Sequence, residues 1–353
     1  MLWLRYNLLK IKYFNSKFYF GITNKKRNNI LMSYKLKIPI MAFVLPCFNE
    51  EEILPLSIKK MKNKINSLIK KRIISKNSYL LFVDDGSLDS TWKIIKKECQ
   101  TNVCIKGLKL SVNVGHQKAL LAGLHNVTGR CDASISIDVD LQDDLDVIEE
   151  MLEFFKNGQS IVLGVKNKRD VDSFFKKNSA ILFYKFLKLI GIDIVPNHAD
   201  FRLLSSQALN NLSLFNEQGV FLRALPPLLH KNISIVYYDR LERLKGETKY
   251  TIKKMTVLAL NGITSFSVTP LRIVTLIGAL ISMFAFIVSL LFLTNYFLGN
   301  TVEGWTSIII SVYLIGGMIL LSIGILGEYL GKVFLEVKKR PLYLIDEKTN
   351  FDL

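Results

Sequence analysis

The chain has 353 residues, half of them apolar, with 47 Lys and Arg against 30 Asp and Glu for a formal net charge of +17. That length and apolar content require a buried core, built as one large domain with an appendage or as two ordinary domains. The four cysteines, Cys47, Cys99, Cys104 and Cys131, lack the CxxC spacing of a metal site and read as reduced, small apolar residues.

Residues 1–37 are basic, with no acid before Glu50 and no unbroken apolar run of signal-peptide length. They read as a basic N-terminal extension without an assigned role. An arm on anionic lipid and an over-extended start, with Met32 as initiator, fit equally well.

From Ile38 strands alternate with helices. "IPIMAFVLP" is a buried strand, and Pro55 to Leu68 has helical spacing. "YLLFVDDGS" is a second strand, and "LDSTWKIIKKEC" a helix capped near Asp89 or Ser90. "VCIKGLKLSV", "GHQKALLAGLHNV" and "ASISID" repeat the alternation. This order predicts an α/β domain with a mostly parallel sheet and flanking helices, whose ligands bind outside the carboxyl ends of the strands. Asn49, Glu50, Asp84, Asp85, Asn113 and Asp138 all fall there. No GxGxxG follows the first strand and no GxxxxGK[ST] occurs, so neither a classical dinucleotide site nor a P-loop is supported.

Asp138 and Asp140 stand two apart where the strand "ASISID" gives way to a loop. Two carboxylates in one crevice suit a hard divalent cation, Mg²⁺ or Mn²⁺, whose remaining positions are taken by water and substrate phosphate oxygens. Asp143, Asp144 and Asp146 read instead as acids opening the helix "DLDVIEEMLEFF", where they favour the macrodipole.

The rest of the chain points to a membrane. The stretch 173–191, "SFFKKNSAILFYKFLKLIG", interleaves apolar residues with lysines as an interfacial helix does, although a core helix with one wet face fits the same pattern. Residues 251–271 form a second juxtamembrane amphipathic segment. Two uncharged runs, about 273–293 and 307–327, are each long enough to cross the hydrocarbon layer. Lys253, Lys254 and Arg272 before them and Lys332, Lys338, Lys339 and Arg340 after them, with no basic residue in the connecting loop, predict a hairpin with both ends cytoplasmic. Residues 331–353 read as a cytoplasmic tail.

The motifs "VLPCFNEEE", "VDDGSLDST", "NVGHQKALLAGL", "IDVDLQDD", "ADFRLLS", "GETKY" and "GEYLGKVFLEVKKRPLY" together resemble the family 2 glycosyltransferases that load sugars onto polyprenyl phosphate, most of all bactoprenol glucosyltransferases. The resemblance runs from about Ile38 almost to the C-terminus. It implies a GT-A fold over residues 38–250 and a bacterial inner-membrane enzyme, with interfacial helices and a C-terminal two-helix transmembrane hairpin within 272–330. It also implies a UDP-sugar donor, expected to be UDP-glucose, a polyprenyl phosphate acceptor and an inverting displacement.

Carried over by residue, Pro46, Asn49, Glu50, Asp84, Asp85 and Asp138 would bind the nucleotide sugar. Asp140 and Gln142 would help hold Mg²⁺ or Mn²⁺ on the diphosphate. Arg202, Arg223, Arg243 and Lys249 would meet the acceptor or its phosphates, and Asp200 would orient Arg202 or act as a base. The sequence departs from the resembling pattern at Val112, Asp144 and Ala199.

N-acetylglucosamine, galactose, mannose or a modified pentose could replace glucose. The carboxylates alone would also suit a membrane-bound, metal-dependent phosphodiesterase. A processive polysaccharide synthase is disfavoured because no QxxRW element is present. Nucleic acid is not an expected partner. The small residues Gly316, Gly317, Gly324 and Gly327 are compatible with a homo-oligomer or with packing inside the hairpin.

Overall fold

The computed structural model describes residues 38–140, 142–167, 195, 198–219, 221–239, 271, 274–281, 283, 284, 287 and 304–351. The N-terminal extension, the interfacial stretch 173–191, Arg243, Lys249 and most of the first expected span lie outside them.

Eight strands form one sheet: β1 Met41–Cys47, β2 Tyr79–Asp84, β3 Ile105–Leu110, β4 Ala133–Ser136, β5 Ile161–Lys166, β6 His198–Ser205, β7 Ile233–Tyr238 and β8 Ile345–Thr349. Their order is β7-β5-β6-β4-β1-β2-β3-β8. β6 runs against both β4 and β5, and β8 runs against β3, while the other pairings are parallel. The expected mostly parallel sheet is therefore present, with two antiparallel insertions.

β1 is buried along its whole length because the sheet is covered on both faces, which is why it reads as a continuous apolar run. Its side chains divide by the two-residue period of a strand: Phe43 and Leu45 enter one core, Ala42 and Val44 the other. The first core is closed by helices α1 Leu54–Lys70 and α2 Thr91–Thr101, through Leu54, Ile58, Met61, Trp92 and Ile95. Pro55 lies in the first turn of α1, where its missing N–H costs nothing. Asp89 accepts the backbone N–H of Thr91 at 2.9 Å and so starts α2. The second core is closed by α3 His116–Val127, through Leu120, Leu121 and Leu124, and by α5 Ser206–Leu212 through Leu209. α4 Val147–Lys156 completes the first face, and the short α6 Pro226–Leu229 completes the second.

α3 lies close to the sheet because position 123 has no side chain. A Cβ on Gly123 would stand 2.4 Å from Val44 Cγ1 and 2.8 Å from Val83 Cγ2. That approach fixes where the first turn of α3 meets the strand ends.

The C-terminal part follows another course. α7, Trp305–Val337, is one helix of 33 residues, about 50 Å long at 1.5 Å per residue. Within it Ile315–Val337 is long and apolar enough to cross a membrane, and none of it is buried in the protein. The sequence places this span at about 307–327; the helix continues because Glu328, Lys332 and Glu336, four apart, do not interrupt its hydrogen bonding.

Past α7 the expected tail returns to the domain. β8 pairs with β3, Trp92 Nε1 donates to Glu347 Oε2 at 3.0 Å, and Lys96 and Lys109 pair with Glu347 and Asp346 at 2.6 and 2.8 Å. Asn350 donates to the carbonyl oxygens of Cys99 and Ile105. The alternation in "IDEKT" is that of an edge strand with one wet face, too short to be distinguished from a tail without its partner strand.

Gly123→Ala sets two opposed effects against each other: roughly 1 kcal/mol of helix propensity gained, and about 1–3 kcal/mol lost to overpacking. A contact of 2.4 Å with a core valine makes the second larger. The expected outcome is a lower unfolding midpoint in detergent, and a raised midpoint would show that α3 can move off the sheet.

Candidate active site

The site lies at the carboxyl ends of β1, β2 and β4, where parallel strands leave a crevice. β6 runs the other way, so its early residues reach the same edge. Register places Arg202 opposite Ser136, and Ser136 Oγ donates to the Asp200 carbonyl oxygen at 2.5 Å. The strand pairing therefore brings Asp200, on β6, beside Asp138, which follows β4.

The loops that follow β1 and β2 are tied to each other. Pro46 is buried in β1 opposite Val83. Asn49 takes φ +53, donates its backbone N–H to Ser87 Oγ at 2.9 Å, and accepts from Leu88 N–H at 2.9 Å. Glu50 N–H donates to Thr91 Oγ1 at 2.9 Å. Asp84 ends β2 with both carboxylate oxygens buried, and burial raises its pKa against the lowering effect of hydrogen bonding by Ser87.

Asp85 has a different environment. Its two oxygens accept the backbone N–H groups of Val114 and Gly115 at 2.8 and 3.0 Å, so it holds the loop that enters α3. Gly86 permits the close approach: its φ is +68, and a Cβ there would stand 2.7 Å from the Val112 carbonyl carbon.

The centre of the site is an ion cluster on Asp200. Arg202 donates to Asp200 Oδ1 at 2.6 Å, and Arg223, from the turn before α6, approaches Oδ2 at 3.2 Å. His116 Nε2, at the start of α3, lies 3.4 Å from Asp200 Oδ2 and 3.6 Å from Asp138 Oδ1. Arg202 is 3% exposed and also donates to the Leu222 carbonyl oxygen at 2.6 Å, whereas the Arg223 side chain is 41% exposed. Arg223 is thus the cation that faces the crevice, and Arg202 the one that holds the cluster together.

Charge follows this geometry. Burial would raise Asp200, but His116, Arg223 and Arg202 outweigh it and hold the carboxyl well below the usual range. A group so firmly ionised is a poor base and a good anchor. Burial disfavours the charged ring of His116, yet Asp200 and Asp138 overcome it and lift its pKa to about 9. Asp138 goes the other way: burial, reinforced by Asp143, Asp200 and Asp140 and opposed by His116, pushes it up to about 6.

Around Asp138 the backbone is fixed from below. Ser57 Oγ, on α1, lies 2.5 Å from the Val139 carbonyl oxygen. Asp140 Oδ1 accepts the N–H of Gln142 at 3.2 Å, and Gln142 is buried. Asp143 is not a solvated helix-opening acid. α4 begins only at Val147, and Asp143 is buried, with Tyr238 OH donating at 2.5 Å and Lys166 Nζ at 3.8 Å. Its partners stand on β7 and β5, which sequence spacing does not bring near it.

The sequence pattern assigns no role to His116, Ser57 or Gln117. The signal for His116 was its place at a helix start after a predicted strand, but nothing local distinguishes Ser57. Among the described residues no three His, Cys, Asp or Glu side chains form a closed metal cage. Asp138 and Asp140 still fit a cation that draws its other ligands from substrate, since burial, together with the carboxylates of Asp143, Asp200 and Asp140, disfavours the charge on Asp138.

The glycosyl transferase family 2 model matches residues 42–213, from β1 through α5. Over 87% of the chain and 91% of the relative, it is 46% identical to "Uncharacterized glycosyltransferase YkoT" of Bacillus subtilis (strain 168). The chain belongs to glycosyl transferase family 2. The glycosyltransferase is also 38% identical to "Prophage bactoprenol glucosyl transferase homolog" of Escherichia coli (strain K12), over 86% of the chain and 98% of the relative. It is 36% identical to "Bactoprenol glucosyl transferase" of Shigella phage SfX, over 87% and 99%. Among solved structures, glucosyl-3-phosphoglycerate synthase of Mycobacterium tuberculosis is similar with TM-score 0.43 and 16% identity over 65% of this chain and 79% of that one, too distant a likeness to carry an argument.

The His116 shift generates a pH dependence. Its folded pKa of about 9 exceeds the ordinary 6.5, so its contribution to stability is complete below pH 6.5 and drains away as pH rises through 9. Chemical denaturation of the glycosyltransferase at pH 6 and pH 9.5 should show a larger loss for wild type than for His116→Gln. Equal losses would mean that the folded pKa of His116 is not raised above its ordinary value.

Proposed function

We propose that the glycosyltransferase transfers a sugar, with UDP-glucose as the donor, to undecaprenyl phosphate at the cytoplasmic face of the bacterial inner membrane, with inversion at the anomeric carbon. The observation that carries this reading is the cluster on Asp200: His116 links it to the Asp138 carboxylate, and the exposed guanidinium of Arg223 stands beside it. Relatives named as bactoprenol glucosyl transferases, at 35–38% identity over most of the chain, support the sugar and the lipid. The apolar helix α7 supports membrane attachment, and the flanking basic residues support a multi-pass arrangement with the catalytic domain and both termini cytoplasmic.

In the proposed reaction Asp84, buried at the end of β2, accepts from the donor's base, while Asn49 and Glu50 shape the loop beside it. A divalent cation on the Asp138–Asp140 side, with Gln142 nearby, would offset charge on the departing diphosphate. A lipid phosphate oxygen attacks the anomeric carbon from the face opposite UDP. The new O–C bond forms as the bond to the UDP oxygen breaks, and that electron pair leaves with UDP.

The acceptor is ionised at neutral pH and needs little deprotonation. Asp200, held as the carboxylate, therefore orients the cluster, and Arg223 meets the acceptor phosphate. Arg202 acts through Asp200 and through the Leu222 carbonyl. Arg243 and Lys249 are proposed as further phosphate contacts on sequence resemblance alone.

The test is transfer of radiolabelled sugar from a panel of UDP-sugars to undecaprenyl phosphate by detergent-purified protein, with Mn²⁺ or with EDTA. One UDP-sugar, expected to be UDP-glucose, should label the lipid, and EDTA or Asp140→Ala should lower the rate by at least about a hundredfold. Labelling from GDP-sugars alone would overturn the donor. Release of free sugar or cleavage of lipid phosphodiesters without lipid labelling would overturn the transfer itself.

A further inference from the structure

The turn that carries Arg223 is held at two places by parts of the chain remote in sequence. At one end Gln218 donates its backbone N–H to Glu336 Oε1 at 2.7 Å, and its side-chain amide donates to the carbonyl oxygen of Arg340. Glu336 belongs to the last turn of the apolar helix α7, and Arg340 follows it. At the other end Leu222 N–H donates to Gln117 Oε1 at 3.3 Å, in the first turn of α3 beside His116. The Leu222 carbonyl oxygen receives Arg202, and Arg223 reaches Asp200. Only a few residues of chain therefore separate the exit of the membrane helix from the ion cluster.

We propose that two anchored residues, Gln218 held at the end of the membrane helix and Leu222 held at the start of α3, form a strap joining that helix to the acceptor side of the site, with Glu336, Gln218 and Gln117 as positioning residues for Arg223. The two anchors are four residues apart in the chain, so neither can move far from the other without breaking a hydrogen bond. The helix is fixed in depth by the bilayer, so the strap would set the height of Arg223 above the headgroups, where a lipid phosphate arrives. Gln117 ties the same strap to α3, so His116 and Arg223 would converge on Asp200 from two elements held in register. The inference deepens the lipid-phosphate reading of the acceptor and rests on it.

Two readouts test it, one of them independent of catalysis. In Glu336→Leu the acceptor for Gln218 N–H is gone, whereas Glu336→Gln removes the charge but keeps an acceptor oxygen. The KM for undecaprenyl phosphate should rise about tenfold in Glu336→Leu and return close to wild type in Glu336→Gln, with the KM for the UDP-sugar unchanged in both. Should Glu336→Leu fail to fold, Gln117→Leu with its rescue Gln117→Glu should show the same split.

Hydrogen exchange on the full-length protein in nanodiscs gives the second readout. The Leu222 amide, which does not touch Glu336, should exchange faster in Glu336→Leu and at the wild-type rate in Glu336→Gln. An unchanged Leu222 rate, or a KM shift that Glu336→Gln fails to reverse, would overturn the strap. If Leu222 responds as expected while wild type labels no lipid, the strap stands and the acceptor reading fails.

Discussion

The buried carboxylate of Asp200 is the constraint on which the site depends. An isolated carboxylate in that position would be driven to the neutral form, because desolvation costs more than a single distant charge returns. Three cations, Arg202, Arg223 and His116, keep it ionised, and each arrives from a different element: β6 itself, the turn before α6, and the first turn of α3. Loss of the carboxylate would leave a nearly inaccessible Arg202 uncompensated, the situation in which a buried charge is most destabilising. Stability and the geometry of the candidate site are thus tied to the same group.

The sheet makes this meeting possible. Had β6 continued the parallel pattern, Asp200 and Arg202 would start from the opposite edge, away from Asp138. Its reversal between β4 and β5 returns them to the ligand-binding edge, and Ser136 fixes the register through the Asp200 carbonyl. After β1 and β2 the same edge is built by backbone-to-side-chain bonds between consecutive βα loops, from Asn49 to Leu88 and from Asp85 to Val114 and Gly115. Asn49 and Asp85 serve these loops, while Asp84 stands buried at the end of β2.

The apolar helix joins the same framework at both of its sequels. Glu336 and Arg340 hold the turn before Arg223, and β8 seals the outer edge of β3 through Trp92, Lys96 and Lys109. The sheet domain is therefore not joined to the apolar helix by a loose linker at this end. An edge strand that would otherwise expose unpaired backbone groups is covered by the segment that leaves the helix.

Much of this was legible in the residues. The apolar runs and turn chemistry of 38–136 specify alternating strands and helices, because burial on both faces of a parallel sheet demands continuous apolar strands. The carboxylates Asp84, Asp138 and Asp140 declare themselves by standing where such strands end, and α7 declares itself by length and lack of charge. The partners were not legible. Asp143 reads like any helix-opening acid until Tyr238 and Lys166 come beside it, and "IDEKT" reads like a tail until β3 supplies its hydrogen bonds. The sequence determines which segments must be buried, since that depends on local composition and period. Only the tertiary structure decided which of two similar arginines is enclosed and which faces the crevice, because that depends on strand order and on contacts between residues far apart in the chain.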